Sequence, residues 1–105
     1  MIDVIRSKID NGQYEFSKHA VDQSILRNIS LSELREAIEN GIIIEEYPKD
    51  KYGPSCLILG FTDAGRPVHV QCTSGSREIV KIVTLYEPDE ALWINHCERR
   101  QPYEG

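Results

Sequence analysis

Apolar residues at Ile2, Ile5 and Ile9 fall on one helical stripe, and Gly12 follows as a stop. A second stripe, Ala20, Val21 and Ile25, predicts a helix over 17–28. Ser17 is its N-cap candidate, with Phe16 and Val21 placed as a hydrophobic staple. Leu31, Leu34, Ala37 and Ile38 mark a third helix. Ser30 and Glu33 supply its capping box, Ile29 and Leu34 its staple, and Asn40-Gly41 its end.

From residue 42 the period changes. Ile42-Ile43-Ile44 opens a first strand, closed by Pro48, and residues 49–54 read as a loop. Residues 56–62, 67–73 and 79–86 read as three further strands, with turns at 63–66 and 74–77. Pro88, at a first helical position, with Asp89 and Glu90 behind it, predicts a short last helix to about Asn95. The order predicts one α+β domain over 1–95: three N-terminal helices, a four-stranded antiparallel meander, and a short C-terminal helix. Residues 96–105 lack periodicity and read as a loose tail.

Hairpin register sorts the strand side chains. Joining Thr62 to Pro67 across a four-residue turn pairs Phe61 with Val68, Leu59 with Val70 and Leu57 with Cys72. Those residues, with Val80 and Ile82, become the face covered by helices. The other face then carries His69, Gln71, Thr73 and Lys81 beside a strip of Ile58, Val83 and Leu85. Gly60, opposite His69, leaves room above the imidazole. By the same parity Tyr86 faces the helices. A one-residue slip would exchange the two sets.

Charge changes the picture. The chain has 12 Lys+Arg against 17 Asp+Glu, a net charge of −5, and neither half is basic. Nucleic-acid binding, which rests on phosphate neutralisation, would therefore need a local basic patch on an acidic body. No apolar run approaches the ~20 residues of a membrane span. The opening MIDVIRSKID is not a basic-then-apolar signal. The expected location is the cytoplasm, with no membrane partner. Cys56, Cys72 and Cys97 have no CxxC spacing and read as reduced thiols. Adjacent His96-Cys97 does not make a four-ligand zinc site, so neither metal nor cofactor is expected.

His69, mid-strand beside Gln71 and near Lys81, has the parts for proton transfer. His19, at the start of the second helix, sits where the helix dipole favours a neutral imidazole and a bound anion. Arg27, two turns on, is a phosphate-clamp candidate. Tyr86 ends the last strand with its hydroxyl at the rim.

Several blocks, in order, resemble a small bacterial domain family of unknown function. They are Phe16-Ser17-Lys18-His19-Ala20, Arg27-Asn28-Ile29-Ser30, Glu36–Gly41, Arg66-Pro67-Val68-His69-Val70, Thr84–Asp89 and Trp93. The family looks distantly similar to the RelE, BrnT and MqsR-like toxins of toxin–antitoxin pairs. That resemblance implies a RelE-like fold, metal-independent RNA cleavage, and a small zinc-finger antitoxin as partner. His69, His19 and Tyr86 would be catalytic, and Arg27, Lys81 and Gln71 would bind substrate. The alternative is a non-catalytic interaction module whose apolar strip docks a partner protein or a second copy of the chain.

Overall fold

Two serines fix where helices begin. In the computed structural model, which describes residues 1–74 and 77–100, α1 (Ile2–Asp10) leads into a short strand β1 (Tyr14–Phe16). Ser17 then caps α2 (Lys18–Leu26), its Oγ accepting the Ala20 N–H at 3.0 Å. Ser30 caps α3 (Leu31–Glu39) and completes the capping box with Glu33. Asn28, at φ 53°, makes the left-handed step between these two helices.

The strands β2 (Ile42–Tyr47), β3 (Ser55–Phe61), β4 (Pro67–Thr73) and β5 (Val80–Tyr86) follow as antiparallel neighbours. Among the described residues the sheet has five strands, not four, and it is mixed. β1 pairs parallel with β5, giving the order β1-β5-β4-β3-β2. The polar run around Gln13-Tyr14-Glu15 gave no strand signal. It becomes one because β5 otherwise exposes an unpaired edge.

The expected C-terminal helix is also absent. After one turn, in which the Asp89 carboxylate accepts the Ala91 N–H at 2.8 Å, the chain enters a hairpin of β6 (Trp93–Ile94) and β7 (Glu98–Arg99). Asn95 and His96 take φ of 52° and 65°, the positive pair at the centre of a β-turn closed by the Cys97 N–H donating to the Ile94 carbonyl at 3.1 Å, within a three-residue loop between Ile94 and Glu98. The segment expected as a loose tail thus begins inside this hairpin. Residues 101–105 lie outside the described residues, as does part of the expected turn at 74–77.

Between β3 and β4 the turn holds five residues rather than four. The Thr62 hydroxyl accepts the Arg66 N–H at 3.0 Å, so pairing starts at Phe61–Pro67. That one-residue difference turns β3 over while leaving β4 in place. Ile58 and Gly60 face the helices; Leu57 and Leu59 do not. Gly60 makes no room for His69. It pairs with Val68, and a Cβ there would lie 1.7 Å from the Ala37 carbonyl oxygen, so glycine is what lets α3 settle on the sheet. Ile58, Val68, Val70, Cys72, Val80, Ile82 and Leu85 pack with Ile5, Ile9, Ala20, Leu34, Ala37 and Ile38 in the main core. Ile58 and Leu85 therefore do not form an exposed strip.

Candidate functional site

A bulge prepares the site. Register between β4 and β5 runs Gln71–Thr84 and then Cys72–Ile82, leaving Val83 without a partner. The Val83 carbonyl, freed from the ladder, accepts the Ser17 hydroxyl at 2.8 Å. The same Ser17 oxygen caps α2, so the start of that helix is pinned to the bulge. The extra residue reverses parity along the rest of β5. Leu85 enters the helix-covered core, and Tyr86 lands on the opposite face, paired with His69. The expectation that Tyr86 faces the helices is corrected by this one residue.

His69 is fully buried, but under the hairpin rather than under the helices. Trp93 stands edge-on to its ring at a centroid distance of 4.5 Å. Its Nε2 meets the His96 carbonyl oxygen, and its Nδ1 lies 3.2 Å from the Tyr86 hydroxyl. A carbonyl can only accept, so Nε2 carries the proton. Burial pushes the imidazole below its ordinary value, which keeps the ring neutral near pH 7. In that tautomer Nδ1 accepts from Tyr86. Burial also raises the Tyr86 hydroxyl, so its proton stays in place at rest.

The hairpin is clamped at its far end. Arg99 makes a two-pronged contact with Glu45 on β2, Nε to Oε2 at 2.8 Å and Nη2 to Oε1 at 3.0 Å. Its guanidinium lies 4.7 Å from the Trp93 ring centre. Burial alone would raise the Glu45 carboxyl, but hydrogen bonds from Arg99 and Tyr47 hold it below its usual value. Burial and this hydrogen bond to Glu45 push the Tyr47 hydroxyl up to about 12.

Beside this network runs a groove of about 350 Å³, lined by Arg27, Tyr86, Glu87, Asp89, Leu92, Trp93, Arg99 and Arg100. Among the described residues Arg27 and Arg100 have no carboxylate partner. Arg27 bonds Gln23, and Arg100 donates to the Glu90 carbonyl at 2.7 Å. Arg66 secures the Arg27 end, donating to the carbonyls of Arg27 at 2.8 Å and Asn28 at 2.9 Å while pairing with Glu33 and Glu87. Those two acids hold Arg66 above its ordinary value and take Glu87 out of the groove's free charge.

The six residues singled out in the sequence thus divide. Arg27, Tyr86 and His69 come together, with His69 behind the tyrosine. Gln71 is one strand position further along the same face, its Nε2 donating to Ser55 at 3.2 Å and toward Asp50 at 3.5 Å. Lys81 is not at the groove. It pairs with Glu15 at 3.5 Å and lies over Tyr52. His19 is exposed on α2 and lines neither this groove nor a second one described below. Arg99, Arg100 and Trp93's part in the site were missed, because the tail carries no periodicity. The Asn-His pair at 95–96, suited to a tight turn, was the available signal.

Among the described residues no group of three His, Cys, Asp or Glu side chains could hold a metal ion. Among the same residues no helix is long and apolar enough to cross a membrane. Cys56 and Cys72 are buried and face each other across β3 and β4.

The fold and groove define a small domain, with three helices among the described residues, whose mixed sheet carries a tyrosine–histidine pair under a hairpin. Residues 16–87 match the family model described as Domain of unknown function (DUF4258), and the chain belongs to that family. The match extends from the strand before the Ser17 cap to just past Tyr86, so it takes in Arg27, Arg66, His69 and Tyr86 but not the hairpin arginines. No curated protein and no solved structure matches the chain.

Proposed function

We propose that the groove cleaves RNA without a metal ion, by attack of a ribose 2′-hydroxyl on the neighbouring phosphate. The observation that carries this reading is the meeting of the Tyr86 hydroxyl, bonded to a buried neutral imidazole, with the unpaired guanidinium groups of Arg27 and Arg100. With Glu87 paired to Arg66 and Arg99 to Glu45, Arg27 and Arg100 outnumber the one remaining acid of the groove, Asp89, which is the local positive excess that an acidic chain would need.

The 2′-hydroxyl gives its proton to the Tyr86 oxygen as Tyr86 passes its own proton to Nδ1 of His69. The 2′-oxygen then bonds to phosphorus, and Arg27 and Arg100 balance the charge that collects on the phosphoryl oxygens. The bond to the 5′-oxygen breaks, and that oxygen takes back a proton through Tyr86. The products are a 2′,3′-cyclic phosphate and a 5′-hydroxyl. A toxin role with a small zinc-finger antitoxin as partner is consistent with this chemistry.

The test is cleavage of an oligoribonucleotide in EDTA. Tyr86→Phe should lower the rate ~10²–10⁴-fold, the usual effect of losing an acid or base. A substrate with 2′-deoxyribose at the cut should not react. Full activity in Tyr86→Phe, or cleavage of the deoxy substrate, would reject the reading.

A second reading, an interaction module, draws on the exposed Val21, Ile25 and Leu26 of α2. Should the pure protein leave RNA intact, sedimentation of wild type and Ile25→Glu reads whether this helix joins two copies.

A further inference from the structure

Arg99 also lines a second groove, of about 550 Å³, whose other lining residues are Glu46, Tyr47, Pro48, Lys49, Asp50 and Gln71. Its size suits a nucleoside-sized ligand. Because Arg99 lines both grooves, the two are neighbours.

The walls of this groove differ in kind from those of its neighbour. Tyr47 and Pro48 offer flat apolar surface of the sort on which a base stacks. Asp50 is held in orientation: one oxygen accepts the Tyr52 N–H at 3.1 Å, and the other faces the Gln71 amide nitrogen at 3.5 Å. Each oxygen keeps a further lone pair for a ligand. Gln71 has its nitrogen engaged by Ser55 and Asp50, which leaves its own oxygen as an acceptor. Both groups therefore ask a ligand for N–H donors. Arg99 is already neutralised by Glu45, so it offers little charge to a phosphate here.

Guanine has two adjacent donors on one edge, N1–H and the N2 amino group, spaced to meet both oxygens of a carboxylate. Adenine and cytosine set one donor beside an acceptor on that edge, and uracil sets one donor between two acceptors. An acceptor facing the Asp50 carboxylate is repelled. We infer that this second groove is a base-reading subsite that selects guanine through the Asp50 carboxylate. Its placement next to a scissile phosphate rests on the cleavage reading; the base preference itself does not.

The experiment separates the two. Guanosine, adenosine, cytidine and uridine 5′-monophosphates are titrated into Tyr86→Phe and followed by NMR. Guanosine monophosphate should bind at least about tenfold more tightly than the others, as a bidentate contact to one base allows. It should move the amide signals of residues 47–50 and Gln71. Asp50→Asn, which puts a donor in place of an acceptor, should abolish that preference in protein with an unchanged thermal midpoint. Gln71→Ala should weaken guanosine monophosphate binding several-fold. Equal binding of the four nucleotides, no binding at millimolar concentration, or an unaltered preference in Asp50→Asn would overturn the subsite. Cleavage by wild type at all bases alike would also overturn it while leaving the cleavage reading intact. A guanine preference in a protein that never cuts RNA would keep the subsite and remove the cleavage reading.

Discussion

The two faces of the sheet are covered by different means. Against the helices lie Ile58, Val68, Val70, Ile82 and Leu85, apolar side chains whose only requirement is volume and shape. Under the hairpin lie His69, Tyr86, Glu45 and Tyr47, each tied by a directed contact to a named atom of the cover or of a neighbour. The first cover is three helices. The second is a pair of two-residue strands held by one carbonyl, one indole and one guanidinium. A face packed by volume is stable and chemically silent. A face packed by hydrogen bonds specifies one tautomer and one hydroxyl direction, which proton transfer needs. The same contacts make it the face that a change in charge can open.

The helix-covered face breaks most severely at Gly60. Any Cβ there collides with backbone of Ala37, which cannot rotate out of the way. Gly60→Ala should cost about 3 kcal/mol or more, at or above the top of the usual range for overpacking, read from urea unfolding. Ile58→Val, a deletion on the same face, should cost only about 1 kcal/mol. If both variants unfold at the same urea concentration as wild type, α3 does not rest on β3 as described.

Acid should act on the other face. His69 has its pKa lowered from an ordinary 6.5, chiefly by burial, so the folded protein favours the neutral ring. The stability this gives is fully present above 6.5 and is lost as pH falls toward the folded-state value. The expected slope approaches about 1.4 kcal/mol per pH unit for one proton in that window. Glu45, held below its ordinary 4.5, adds a second loss at lower pH, as its carboxylate is protonated and Arg99 is released. Hydrogen exchange should show the amides of residues 93–99 losing protection first, with the helices still protected. His69→Gln should remove the upper step. Equal loss of protection on both faces between pH 7 and 5 would mean that the hairpin has no separate response.

How much of this was legible follows from the range of each signal. The capping box at Ser30, the cap at Ser17 and the start of the hairpin loop after Phe61 are local, and sequence shows them within a residue or two. The faces of β4 were read correctly because alternation alone decides them. The faces of β3 and the end of β5 were not. Each depends on one residue, Thr62 joining the loop or Val83 dropping from the ladder, and a period of two converts either into a complete exchange of sides. The Tyr86–His69 pair was therefore hidden even though both residues had been singled out. β1 was invisible because its reason to exist is a distant edge of β5. Arg99 and Arg100 had no local signal at all, since their meaning comes from Glu45 and from a groove made by four separate segments.

The smallest effect sharpens the comparison most, because one carboxylate serves both faces. In the capping box Glu33 accepts the Ser30 N–H at 3.0 Å through one oxygen, and through the other it pairs with Arg66 at 2.9 Å. The backbone bond from Ser30 and the Arg66 contact together hold Glu33 below its ordinary value. Ser30→Ala removes the hydroxyl that accepts the Glu33 N–H and leaves the Arg66 contact in place. It should lower stability by about 1 kcal/mol and leave RNA cleavage unchanged. Glu33→Gln should cost similar stability but also loosen Arg66, which holds the two carbonyls at the Arg27 end of α2. Its signature is then a weaker apparent affinity for RNA and a flatter dependence on salt, as expected when a phosphate contact is poorly placed. Measuring stability and salt dependence for the two variants in parallel separates helix capping from positioning. If Ser30→Ala alters salt dependence as much as Glu33→Gln does, Arg66 is not the link between α3 and the groove, and Arg27 is held by the helix end alone.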